Sequence, residues 1–344
     1  MFVRRVKNLN SNTKTSIPTI EELGYELTSH GLRHPQRAAI SKKTIQIIKN
    51  RLGLLECKIP FKNSKIYPGC PIFHTKNAFE SKKLVLIATG VNSGPGLWEP
   101  SSVAKYGFEN GSIILLLEKL ISNGYDFILL NPNENSIDQN GVSVTSHSYN
   151  RNNKTIIESN SPESHFDYVW LNAIIKKSKA DNIVFITSEY CGFGVLDLLN
   201  NHYDDFCSRV CGAVFLESSH TTFGLTPESL AWLKLCSVNL KRSSRADDTS
   251  KFDSSLGCMS YPINIAQSES NATDHDVETK GFRHVGVILS SEIVKFVESS
   301  FEKGLVGQEV LMETAEEILL ELEISNLSIN EPVYENNPEW SWET

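Results

Sequence analysis

The chain predicts a doubly wound α/β fold built on a mainly parallel sheet, and three observations carry that expectation. Apolar runs of strand length alternate with stretches of helical periodicity from about residue 84 to residue 303. Within them, NIVFITSEYCGFGVLDLLNN (Asn182 to Asn201) passes from the β-branched run Ile183–Thr187 through Ser188-Glu189-Tyr190-Cys191 into helical spacing at Phe193, Leu196 and Leu199. So short a turn places one side chain at the carboxyl edge of a sheet, where open α/β folds keep their sites. Finally, 344 residues with 40% hydrophobic and 22% charged content suffice for one such domain of roughly 200–250 residues plus appendages.

In chain order, residues 1–18 are polar. Thr19 to Leu27 reads as a short helix capped by Thr19, with Glu22 at the capping-box spacing. Ser41 to Leu55 reads as a second helix whose apolar positions Ile45, Ile48, Leu52 and Leu55 recur at threes and fours. From Ile59 to Lys83 the pattern is short and Pro-interrupted, more like an extended cap than a core. Residues 1–83 are therefore expected to form a basic N-terminal extension with two short helices.

Residues 84–305 carry the α/β rhythm. Leu84–Ala88 is a buried strand, Gly111–Asn123 a helix stopped by Gly124, and Phe127–Leu130 a strand ending in Asn131-Pro132-Asn133. Ser136 to Asn160, rich in Asn and Ser, is expected to be a disordered insertion. Ser161-Pro162-Glu163 opens a helix that buries Phe166, Val169, Trp170, Ala173 and Ile174. The central strand and helix come next, then the strand Gly212–Glu217, a helix from Thr226-Pro227 to about Leu240 and a last strand Ile263–Gln267. Ser290 or Ser291 caps a closing helix to Lys303. Residues 306–344 comprise an acidic amphipathic helix, Gln308–Ile324, and a polar tail bearing Trp340 and Trp342.

Charge is unevenly spread. The net charge is −8, yet residues 1–83 hold 16 Lys/Arg against 5 Asp/Glu, and residues 298–344 hold 1 against 12. An acidic chain is a poor non-specific nucleic-acid binder, so the basic part either contacts an acidic partner or faces the chain's own acidic end. No apolar run reaches the roughly 18 residues of a membrane span, and the first residues lack the apolar core of a secretory signal. Seven scattered cysteines without a C-x-x-C pair fit a reducing compartment.

The turn after Thr187 invites comparison with the G-x-S-x-G elbow of α/β hydrolases, whose serine is activated by a His that an acid orients. Glu189 stands at the nucleophile position, and Thr187 and Cys191 at the two glycine positions. Glu217 follows the next strand and His275 the last, which preserves the order nucleophile, acid, His. A glutamate cannot be activated by removing a proton, although carboxylate nucleophiles do form ester intermediates. Ser188 and Cys191 are fallback nucleophiles without elbow glycines. At the oxyanion position, Ala88 and Thr89 stand where hydrolases commonly place His-Gly, and Gly90 comes one residue late. The glycines at 90, 94 and 96 miss the dinucleotide spacing, and the nine histidines form no metal-ligating pair with carboxylates, so no cofactor and no metal is expected. A non-catalytic, α/β-hydrolase-like scaffold with an N-terminal helical extension is the expectation.

The pieces LVLIATGVNSGPGLW, GYDFILLNPNEN, SPESHFDYVW, VFITSEYCGFG, AVFLESSH and ATDHD occur in one order that resembles the Argonaute-binding protein 2 domain. The resemblance covers about Leu84 to Glu298, and more weakly Thr19 to Arg33. The domain is shared with class II histone deacetylase C-termini and an animal splicing-linked family. Family members closest to hydrolases carry His-Ser-Tyr-Gly-Gly across positions 188 to 192; this chain keeps Tyr190 and Gly192. The resemblance implies a binding subunit of an Argonaute siRNA chaperone complex, in nucleus and cytoplasm. Its partners would be an Argonaute protein and a second Argonaute-binding subunit, with small RNA contacted only indirectly. Trp340 and Trp342 are the candidate binding residues. An active esterase or dehalogenase-like hydrolase using Glu189 and His275, or a histone-deacetylase-associated chromatin module, are the alternatives.

Overall fold

The computed structural model describes residues 23, 26–28, 31–33, 37–61, 69–90, 93–144, 151–243, 245, 248–264 and 285–329. The first elements depart from the expected helix at Thr19–Leu27. Residues Glu26–Thr28 (β1) pair antiparallel with Gly31–Arg33 (β2) as a small hairpin, and the rest of that expected helix, apart from Leu23, lies outside the described residues. Helix α1 spans Arg37–Leu52, so it starts four residues earlier than expected and ends before Leu55. Its Ile40, Ile45 and Ile48 are buried against the sheet.

Leu55–Ile59 (β3) and Cys70–His74 (β4) pair antiparallel, and β4 also pairs with Asp126–Leu129 (β6). The segment expected to be an extended cap is therefore part of the sheet, with Ile59, Cys70 and Ile72 fully buried. Proline and short strand length weaken the sequence pattern, but β3 is the edge strand and Pro71 of β4 lies beyond the residues that pair with β6. Lys83–Ala88 (β5) comes next, then the short helices Pro100–Tyr106 (α2) and Phe108–Gly111 (α3), and Ile114–Ser122 (α4). Gly124, at φ 79°, stops α4 in the left-handed conformation that glycine adopts without strain.

The segment expected to be disordered is ordered where it is described. Ser136–Ile137 (β7), Ser143–Val144 (β8) and Lys154–Thr155 (β9) form a three-stranded sheet, and Ile137, Val144, Ile156 and Ser159 are buried. Its few apolar residues go mostly to the interior, which a composition count does not register. Residues 145–150 of that segment lie outside the described residues.

Pro162–Val169 (α5) has the expected Ser161 cap, completed as a capping box with Ser164, and continues as a π turn, Trp170–Ile175. Phe166, Val169, Trp170, Ala173 and Ile174 are all buried, as their spacing predicts. Asn182–Ser188 (β10) leads into Cys191–Asn201 (α6), then Tyr203–Cys207 (α7), Val210–Leu216 (β11) and Pro227–Cys236 (α8). The helix expected to reach Leu240 stops at Cys236, because Ser237–Ser243 is a strand, β12. Lys251–Asp253 (β13) and Cys258–Asn264 (β14) come after it, so the last strand begins five residues before the expected Ile263. Val285–Ile288 (α9) precedes Ser290–Lys303 (α10), whose cap position is Leu289 with no side-chain cap, neither Ser290 nor Ser291 filling that role. The acidic helix Gln308–Ile329 (α11) is five residues longer than its expected span and packs on α8.

The main sheet has nine strands in the order β13-β14-β12-β11-β10-β5-β6-β4-β3. The six strands from β14 to β6 run parallel, β13 and β4 run against them, and β3, antiparallel to β4, runs with them. This is the α/β-hydrolase-like, doubly wound architecture expected from the alternation of elements. One face is covered by α5, α6, α8 and α11, with Phe185 of β10 stacked on Phe206 at 5.8 Å between ring centroids and Trp170 beside both. The other face is covered by α1, α4 and α10 and is mostly aliphatic. Among the described residues no helix is long and apolar enough to cross a membrane.

Candidate functional site

β10 lies at the centre of the parallel strands, so its carboxyl end opens where the crossovers on the two faces diverge. The residue after it, Glu189, has φ 52°, one of three non-glycine residues at positive φ among those described. That conformation costs a side-chain-bearing residue about 1–2 kcal/mol, and it is how a strand turns at once into a helix. The backbone elbow expected at Ser188–Cys191 is therefore present. Its carbonyl accepts from Gly192 N–H at 3.3 Å and Ser219 N–H at 3.4 Å, with Ser218 Oγ 3.1 Å away, while Glu189 N–H donates to Leu216 O at 2.9 Å.

The side chain of Glu189 lies against Gly90. A Cβ built on Gly90 would stand 2.5 Å from Glu189 Oε2, so glycine is what lets the carboxylate rest there. This is the loop beyond β5, whose start holds the oxyanion candidates Ala88, at the strand's end, and Thr89; both are buried. A carboxylate at this place puts negative charge where a hydrolase gathers N–H donors for a developing oxyanion.

Asn133 holds that loop. Its amide lies within hydrogen-bond distance of the carbonyls of Thr89 (3.0 Å), Gly90 (2.8 Å) and Ser93 (3.2 Å), and the residue is 7% exposed. Cys191 Sγ donates to Thr89 O at 3.0 Å, which ties the first helical residue after the elbow to the same loop. The pieces ATG, NPN and SEYCG thus meet at one point. In the sequence Asn131-Pro132-Asn133 reads as a turn, which leaves the clamp unseen; the buried amide is the signal that a turn alone does not need.

The neighbouring residues of the same motif are also committed. Glu134, 5% exposed, accepts from Asn131 Nδ2 at 2.9 Å and from the Ser143 hydroxyl, and burial raises its pKa. His165 is fully buried and takes the Asn131 N–H on Nε2 at 3.2 Å, so its proton sits on Nδ1 and is donated to Ser159 Oγ at 2.8 Å. Burial drives its pKa down to about 3.

The two fallback nucleophiles are sequestered. Ser188 is fully buried at the end of β10. Cys191 is buried too, and desolvation, with the Glu189 carboxylate adding to it, pushes its thiol far above the ordinary range, away from the reactive thiolate. Tyr190 is partly exposed and donates its hydroxyl to Glu163 Oε1 at 2.7 Å.

Glu217 is placed at the end of β11 but pairs with Arg242, at 2.5 Å between Nε and Oε1. His275 lies outside the described residues, as do Trp340 and Trp342. Among the described residues, His220 reaches the elbow, and the sequence offers it in Ser218-Ser219-His220 without a role. Its Nε2 faces Leu256 O at 2.9 Å, and a carbonyl only accepts, so Nε2 carries the proton. Burial lowers its pKa, and in the neutral ring Nδ1 accepts from Ser218 Oγ at 2.7 Å. A Cβ on Gly192 would collide with that Oγ, so Ser218 is pressed against the start of α6. Ser218 and His220 prop the elbow. Among the described residues, no group of three His, Cys, Asp or Glu side chains could hold a metal ion.

Known proteins share much of this chain. It is 23% identical over 256 residues to the cotranscriptional regulator ARB2A of Mus musculus, covering 61% of each. It is 26% identical over 186 residues to the ARB2A homolog of Dictyostelium discoideum, covering 48% of this chain and 47% of that one. The chain thus spans at most about three fifths of the length of these curated relatives. Among solved structures, a histone deacetylase from Saccharomyces cerevisiae aligns at 13% identity over 78% of this chain and 100% of its own, with a TM-score of 0.48. The histone deacetylase Clr3 aligns at 14% identity over 80% and 40%, with a TM-score of 0.44. The sequence profile of the Arb2 domain matches residues 18–245, which takes in the elbow, the Asn133 clamp and both glutamate-ended strands. The chain belongs to the Arb2 domain family.

Proposed function

We propose that this chain is a non-catalytic binding subunit in gene regulation, and more specifically a subunit of an Argonaute siRNA chaperone complex. It acts there in small-RNA loading and RNA-interference-directed heterochromatin formation, in nucleus and cytoplasm. The observation that carries the non-catalytic part is Glu189. A carboxylate occupies the elbow and rests on Gly90, beside a loop pinned by Asn133. The regulator names of the relatives support the gene-regulatory part. The Argonaute part rests on the family resemblance. Its partners are an Argonaute protein and a second Argonaute-binding subunit, with Trp340 and Trp342 as candidate contacts and small RNA reached only through them.

Affinity purification of the full chain with and without RNase treatment tests the assignment. Recovery of an Argonaute in both preparations, with small RNAs in the untreated one, is the expected result; recovery of a histone deacetylase without an Argonaute would replace it. The purified chain is also expected to leave p-nitrophenyl esters intact and to resist fluorophosphonate labelling. Turnover abolished by Glu189→Gln or His275→Ala would overturn the non-catalytic reading.

A further inference from the structure

The apolar end of the sheet far from β3 is unevenly covered. α8 packs on one face of β12 and β14, while on the other face α10 lies against β10 and β11 and only the short α9 reaches β12. Beside α10 lies a groove of about 400 Å³. Its floor is Val238 and Leu240 of β12 and Met259 and Tyr261 of β14, with Phe296 of α10 as its wall. The register explains why these residues share a face: Val238 lies opposite Met259, Leu240 opposite Tyr261, and Phe252 opposite Met259 on the far side. Tyr261 is 39% exposed and Phe252 46%, so a row of large apolar groups runs from the groove to the sheet's edge. The rim is cationic on balance, with Lys234 and Lys303 against Glu292.

We infer that this groove is the docking site of the chain's own residues 330–344. The segment carries Glu331, Glu335, Glu339 and Glu343 and no Lys or Arg, and its apolar residues include Tyr334, Trp340 and Trp342. Acid at every fourth position and paired indoles match a cationic rim around an apolar floor. Indoles bring large contact area with few rotatable bonds, which suits a shallow groove. The reach is adequate. α11 starts five residues after Lys303, lies along α8, and its 22 residues span about 33 Å. The eleven residues from Ile329 to Trp340 extend to about 36 Å, enough to run back along the helix. Docking would cover Tyr261 and the floor between β12 and β14. Neither the groove nor the segment's chemistry depends on which partner the chain binds.

The chain contains five tryptophans, of which Trp98, Trp170 and Trp232 are buried, so fluorine NMR on the full chain labelled with 5-fluorotryptophan separates core from segment. Trp340→Phe and Trp342→Phe assign the two remaining signals. In the unmodified chain both are expected to be shielded from a soluble paramagnetic agent at every protein concentration. Tyr261→Asp and, separately, Lys303→Glu should move both to the free-indole position while the three core signals stay in place, which reports an intact fold. Signals already at the free-indole position in the unmodified chain would overturn the inference. So would shielding that survives both substitutions, or shielding that vanishes on dilution, which would assign the contact to a second copy.

Discussion

β10 and β11 lie side by side, and each ends in a glutamate at positive φ, 52° at Glu189 and 51° at Glu217. The two backbones turn alike, yet they lead to different structures. After Glu189 the chain enters α6 within two residues, and the side chain folds onto Gly90. After Glu217 the chain stays irregular through Ser218-Ser219-His220, and the carboxylate pairs with Arg242 on the adjacent strand. The elbow is thus a property of strand register and braced carbonyls, independent of the residue that a hydrolase would need there. Glu189 N–H is held by Leu216 O and Glu217 N–H by Leu240 O, each a carbonyl of the neighbouring strand. A sheet of this topology keeps the strained turn whether or not chemistry is done on it.

The largest expected effect comes from removing the aromatic layer behind both strands. Trp170 stacks beside Phe185 of β10 and Phe206, so Trp170→Ala should cost about 3–5 kcal/mol and lower the melting temperature sharply. A variant that melts like the unmodified chain would show that this layer does not support the strand ends. Next comes Gly192→Ala, which drives a methyl into Ser218 Oγ and His220 Nδ1. About 1–3 kcal/mol of overpacking is expected, concentrated at the Glu189 elbow and detectable as faster amide exchange at the start of α6.

Acid should loosen the same neighbourhood. His165 titrates near 6.5 when unfolded and near 3 when folded, so the unfolded chain binds the proton first as pH falls. Stability is fully present above about pH 6.5 and drops by about 1.4 kcal/mol per pH unit down to about pH 3. His220, also depressed by burial, adds to the slope in the same direction. Chemical denaturation at a series of pH values reads this, and His165→Asn should flatten the curve. The smallest effect belongs to the other strand end. Glu217→Gln removes the charge of a partly exposed pair, and about 0.2–1 kcal/mol is expected, screened by salt. A loss as large as that of Gly192→Ala would erase the distinction between the two turns.

Much of this is legible in the residues and some is not. The buried stripe of α5, the cap at Ser161, the stop at Gly124 and the strand-turn-helix at Glu189 are written within ten or so residues each, and the structure realises them. The Asn133 clamp is not legible, because an Asn in a Pro-containing turn is ordinary and only the approach of residues 89–93 gives its amide three carbonyls. Glu217's pairing with Arg242 is equally hidden, since the first residues of β12 continue the helical pattern of α8.

Local periodicity and turn chemistry by themselves determined the α/β class, the central strands and the position of the elbow, because each is set by neighbours in the chain. Tertiary structure alone decided that β3, β4 and β12 join the sheet and that the described part of the Asn-rich segment is ordered. It also placed a carboxylate on Gly90, for each of these depends on partners distant in the chain. A short strand with proline or mixed polarity stabilises nothing alone, and its hydrogen bonds acquire value only beside an already buried neighbour.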